Sequence, residues 1–80
     1  MVALKVADKE LFVKCIDDDT DKVVFTDNRN EAENWFDEWR AGTRIQFLKA
    51  HVDLGNIHMA EGQESYLNEL VPYYIDDYTV

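Results

Sequence analysis

Ala32, Trp35, Phe36 and Trp39 recur at i, i+3, i+4 and i+7. On an α-helix that spacing puts all four side chains in one apolar stripe, so it constrains the fold more than any other stretch. Asn30 suits the N-cap position, and Glu33 three residues later completes a capping-box pattern. Gly42 fits the left-handed position that stops a helix. The spacing predicts a helix over 30–41, with both tryptophans of the chain anchored in the core. Its opposite face then carries Glu31, Glu33, Asp37 and Glu38. Glu33 and Asp37, four apart, form a like-charge pair that costs roughly 0.2–0.5 kcal/mol on a helix surface. A face that opposes its own helix is a candidate for use elsewhere.

The segments around this stripe read mostly as strands. Val2, Leu4 and Val6 alternate with Ala3 and Lys5, the period of a half-buried strand. Leu11 to Ile16 and Val23 to Thr26 form a second and a third, joined across the acidic residues 17–22 as a hairpin with a long loop. Residues 43–54 fit two periods. Ile45 and Phe47, then Leu48, Ala50 and Val52, suit a strand with a bulge, whereas Thr43 with Gln46 and the stop at Gly55 suit a helix. The strand is preferred, because a hairpin needs another strand before it makes a sheet wide enough for a helix to cover. Ile57 to Ala60 reads as a short extended piece. Gln63 to Val71 predicts a second, short helix that Pro72 ends. The expected architecture is a single α+β domain over 1–80: a small antiparallel sheet of three or four strands, covered by one main amphipathic helix, with a short helix near the C-terminus.

Composition narrows the function. The chain has 80 residues and a formal net charge of −9. Residues 1–49 hold all eight Lys and Arg against eleven acids, and residues 50–80 hold six acids and none of either base. Direct contact with a nucleic-acid backbone or an anionic membrane is therefore not expected, and a cationic partner is. No segment is apolar enough to span a membrane, the first residues lack a signal pattern, and one cysteine, Cys15, suits a reducing cytoplasm.

Patterns that carry chemistry are weak. Asp17, Asp19 and Asp21 match positions 1, 3 and 5 of a calcium loop, but position 6 is Lys22 and position 12 is Asn28. Without the glycine turn and the closing glutamate, the stretch reads as a solvated hairpin loop. His51 and His58 flank Asp53 without the tight spacing of a zinc site, and Cys15 is remote. Ser65 lacks a nucleophile elbow, Cys15 has no basic neighbours, and there is no phosphate-cradling Gly-rich loop. No cofactor, metal or enzymatic activity is expected.

Size and charge resemble those of the small acidic proteins that phages use against restriction or CRISPR machinery, and of immunity proteins that neutralise basic nuclease toxins. The resemblance is compositional and assigns no residue roles. It implies an inhibitor that occupies the cationic nucleic-acid site of a basic protein or nuclease. The acids expected to make that contact are Asp17, Asp18, Asp19 and Asp21 in the turn, Glu31, Asp37 and Glu38 on the helix, and Asp76 and Asp77 in the tail, with Tyr78 beside them. The alternative is a structural or assembly protein whose acidic surface only keeps it dissolved, with the tyrosine-rich tail (Tyr66, Tyr73, Tyr74 and Tyr78) allowing a homodimer.

Overall fold

Val2–Val6, strand β1, is the segment on which the molecule is built. Val2, Ala3, Leu4 and Val6 are all inaccessible to solvent, which requires cover on both faces. The computed structural model describes residues 1–75, and its fold is α+β. The described strands after β1 are β2 (Phe12–Ile16), β3 (Lys22–Thr26), β4 (Asn34–Trp35), β5 (His58–Met59) and β6 (Leu70–Tyr74). Among the described residues one α-helix, α1 (Glu38–Asp53), crosses the sheet over β1 and β6. Short 3₁₀ segments occupy Arg29–Glu31 and Glu64–Glu69.

Three strands pair with β1, all antiparallel: β2 at Lys5, β4 at Val2 and Ala3, and β6 along all five residues. A strand has two hydrogen-bonding edges. β6 overlaps both of the others in register, so β2 and β4 share the opposite edge end to end. The β2–β3 hairpin thus leaves β1 after Phe12, and the Asn34–Trp35 segment takes its place. The backbone N–H of Glu33 donates to the Val13 carbonyl at 3.0 Å across this junction. β5 pairs parallel to β3 at its far edge.

On one face, Val2, Leu4 and Val6 meet Ala41, Ile45 and Leu48 of α1, with Leu67 and Leu70 closing the end. On the other, Ala3 and Phe12 pack with Ala32, Tyr73 and Ile75. Arg29 and Lys5 lie over this second cluster, the Arg29 guanidinium 5.7 Å and the Lys5 ammonium 5.5 Å from the Tyr73 ring centre.

Several expectations need correction. The main helix covers Glu38–Asp53 rather than 30–41. Residues 43–53, expected as a strand, belong to it. Ala41, Ile45, Leu48 and Val52, at i, i+4, i+7 and i+11, form the stripe that reaches the core. Its N-cap is Asp37, whose carboxylate accepts from the Arg40 backbone N–H at 2.8 Å. Gly42 lies inside the helix, and Gly55, at φ +80°, supplies the left-handed stop. Asn28 rather than Asn30 caps, and it caps only the 3₁₀ turn Arg29–Glu31. The second helix is the 3₁₀ segment Glu64–Glu69, and Pro72 sits within β6 opposite Leu4. Proline is tolerated there because β6 is an edge strand and need not donate outward. Among the described residues the sheet has six strands rather than three or four: the extended piece expected at Ile57–Ala60 supplies β5, which pairs parallel rather than antiparallel, while β4 and β6 were not expected as strands.

Candidate functional site

The acids expected to contact a partner are dispersed, and most have work within the fold. Asp17 closes the β2–β3 turn: its carboxylate accepts from the Asp19 N–H at 2.9 Å, and its backbone exchanges bonds with Lys22 and Asp21. Asp21 holds φ +56°, and its carbonyl accepts from the His58 N–H of β5. Asp18 and Asp19 are exposed at the tip. No three His, Cys, Asp or Glu side chains among the described residues gather where one metal ion could be held. Glu31 accepts from the buried Thr26 hydroxyl at 3.1 Å and lies 3.8 Å from Lys14. Asp37 is the cap and also binds the Arg40 guanidinium at 2.8 Å. Glu33 and Asp37 do not share a helix, so the like-charge pair does not exist: Glu33 holds Arg44 through two bonds of 3.2 Å. Asp76, Asp77 and Tyr78 lie outside the described residues.

What brings functional groups together is an aromatic surface on the solvent side of α1. Trp39, Thr43 and Phe47 follow at i, i+4 and i+8, on the side of the helix opposite Ala41, Ile45 and Leu48. Trp39 is 76% exposed and Phe47 40%. Phe36, one residue before the cap, is 81% exposed. Half of the predicted apolar stripe thus faces water, while Ala32 is buried and Trp35 half-buried against the core. The cause is the junction at β1. Once Asn34 and Trp35 pair with Val2 and Ala3, the backbone there is extended, and neighbouring side chains point to opposite sides.

Trp35, Trp39, Arg40, Thr43, Arg44 and Phe47 line a shallow, largely apolar groove of about 290 Å³. Both arginines on its wall are already neutralised, Arg40 by Asp37 and Arg44 by Glu33, and Arg44 also lies 4.7 Å from the Phe47 ring centre. On the other flank of α1, toward β6, Glu38 accepts from the Tyr74 hydroxyl at 3.0 Å. That hydrogen bond, with the charge of Glu38, raises the Tyr74 pKa above the ordinary tyrosine value. A carboxylate has about four acceptor positions, so Glu38 keeps capacity for a second donor. Tyr74 is 65% exposed, whereas Tyr73 is half-buried against Phe12 at 5.9 Å. A second cleft, of about 470 Å³, runs between Gln46, Lys49 and Asp53 of α1 and Leu67 and Asn68. It brings no nucleophile and base together.

Among the described residues no helix is long and apolar enough to cross a membrane. No protein-family model, curated protein or solved structure matches the chain, so its function is read from its own residues.

Proposed function

We propose that the protein is a non-enzymatic interaction module that binds a basic protein at its nucleic-acid site and blocks that site. One observation carries the reading: exposed Trp39 and Phe36 flank Asp37 and Glu38, in a chain of net charge −9. Tryptophan and tyrosine dominate the binding energy of protein interfaces, and a bare aromatic surface on a monomer marks a contact. The net charge selects a cationic partner and repels nucleic acid itself. Asp18, Asp19 and Asp21 of the turn are exposed to solvent, so they suit long-range steering better than a buried contact.

The test is capture of partners from a lysate at low salt, with release by duplex DNA or RNA compared against release by salt of equal ionic strength. Nucleic-acid-binding proteins released by nucleic acid are the expected result. Asp18→Lys with Asp19→Lys should slow association several-fold and flatten its salt dependence. Partners that nucleic acid does not displace, or a complex formed equally fast at low and high salt, would leave a structural or assembly role as the better description.

A further inference from the structure

We infer that the Trp39 face of α1 is covered by a second copy of this chain, the two helices crossing antiparallel at Thr43. The inference goes beyond the proposed function and does not depend on it, because the dimer forms from the protein alone.

The polar groups of this face are satisfied within one copy. The Thr43 hydroxyl donates to the Trp39 carbonyl at 3.0 Å. Arg40 holds Asp37 at 2.8 Å, and Arg44 holds Glu33 through two bonds of 3.2 Å. Drying the face therefore leaves neither the hydroxyl nor either guanidinium without a partner, which is where burial is costly. The same pairs cancel charge, two arginines against Asp37 and Glu33, in a chain of net charge −9. A face of balanced charge offers neither an anionic nor a cationic ligand a surplus to read. It is also where two copies of an acidic chain meet with least repulsion. The shape is self-complementary. Trp39, Thr43 and Phe47 run large, small, large at i, i+4 and i+8, with Trp39 76% and Phe47 40% exposed. A two-fold interface pairs each residue with its counterpart in both directions. An antiparallel crossing at Thr43 sets Trp39 of each copy level with Phe47 of the other, and the small central side chain lets the helices approach. Charge selects this direction. A parallel crossing would bring Asp37 and Glu38 of the two copies together at one end, whereas the antiparallel one keeps them at opposite ends. The contact is small beside the roughly 800 Å² per copy of a standard interface, so the dimer is weak and dilute protein is monomeric. The proposed partner contact also uses Trp39, so a basic partner takes up the monomer and competes with dimerisation.

Sedimentation of the purified protein, from micromolar to millimolar concentration and at low and high salt, reads the assembly. A monomer–dimer equilibrium is expected. It should tighten several-fold at high salt, which screens the repulsion between acidic chains, whereas a complex with a basic partner would weaken. Trp39→Ala and Thr43→Lys should each weaken the dimer at least tenfold. Tyr74→Ala, at an exposed ring outside the face, should leave it unchanged. Far-ultraviolet circular dichroism checks that each variant is folded. In a mixture of isotope-labelled and unlabelled protein, a nuclear Overhauser contact should join Trp39 of one copy to Phe47 of the other. A monomer at every concentration and salt overturns the inference and leaves the face to the basic partner. A dimer that either Trp39→Ala or Thr43→Lys fails to weaken, that Tyr74→Ala dissociates, or that lacks the contact between the two rings overturns it as well. None of these outcomes bears on the basic-partner reading, which the lysate capture tests separately.

Discussion

At the scale of single residues, size does not tell which aromatic side chains hold the fold together. Leu48 is inaccessible to solvent, and Leu48→Ala should cost about 2–5 kcal/mol. Trp39 is the larger residue, yet Trp39→Ala should change stability by no more than about 0.5 kcal/mol, since the ring is mostly in water. Urea melts of the two variants check this, and a large loss at Trp39 would place that ring in the core. Tyr74 gives a pH signature. Its hydrogen bond to Glu38 favours the neutral phenol, so its folded-state pKa is raised. The stability from that contact is fully present below the ordinary tyrosine pKa of about 10 and is lost as pH rises through the higher folded value. Thermal melts across the alkaline range should therefore fall less steeply for Tyr74→Phe. In Glu38→Ala, ultraviolet titration should find the Tyr74 pKa nearer its ordinary value.

Among the elements, α1 carries both a stability margin and an avoidable weakness. Asp37→Ala removes the cap and should cost about 0.5–2 kcal/mol. Gly42 sits mid-helix, and a Cβ there would meet nothing within 4 Å. Gly42→Ala should accordingly stabilise by about 0.4–1 kcal/mol, seen as a higher denaturation midpoint. The three strands of the first half were legible because Val2–Val6, Phe12–Ile16 and Lys22–Thr26 are short, rich in β-branched residues and bounded by turn formers. The helix was legible only in part. Two apolar stripes overlap in 32–52, and periodicity says which residues share a side, not which side the sheet covers. Ala41/Ile45/Leu48 reached the core because the free edge of β1 drew Asn34 and Trp35 into an extended conformation. That pairing is tertiary, between segments far apart in the chain, and no local signal announces it. The site followed the same logic. The acids could be named from the sequence, but Glu31 and Asp37 turn out to serve the fold, and the exposure of Trp39 and Phe36 became visible only with the β1 junction in place.

For the whole molecule, charge and topology set separate expectations. A net charge of −9 on 80 residues repels itself across the surface. Salt shortens the reach of that repulsion from about 30 Å at 0.01 M to about 8 Å at 0.15 M. The melting temperature should thus rise with sodium chloride while any complex with a basic partner weakens, and opposite slopes in the two titrations check both. The ladder between β1 and β6 pairs Val6 with Leu70 and Val2 with Tyr74, and Ile75 donates to the Met1 carbonyl. The strand made early by the ribosome therefore waits for one made late. The β2–β3 hairpin and α1 need only local contacts and can form while synthesis continues, but the central ladder has to close the longest loop in the fold. Until it closes, Leu4 and Val6 lack the part of their cover that Leu67 and Leu70 supply, and the emerging chain displays an apolar strand with one edge bare, open to pairing with another chain.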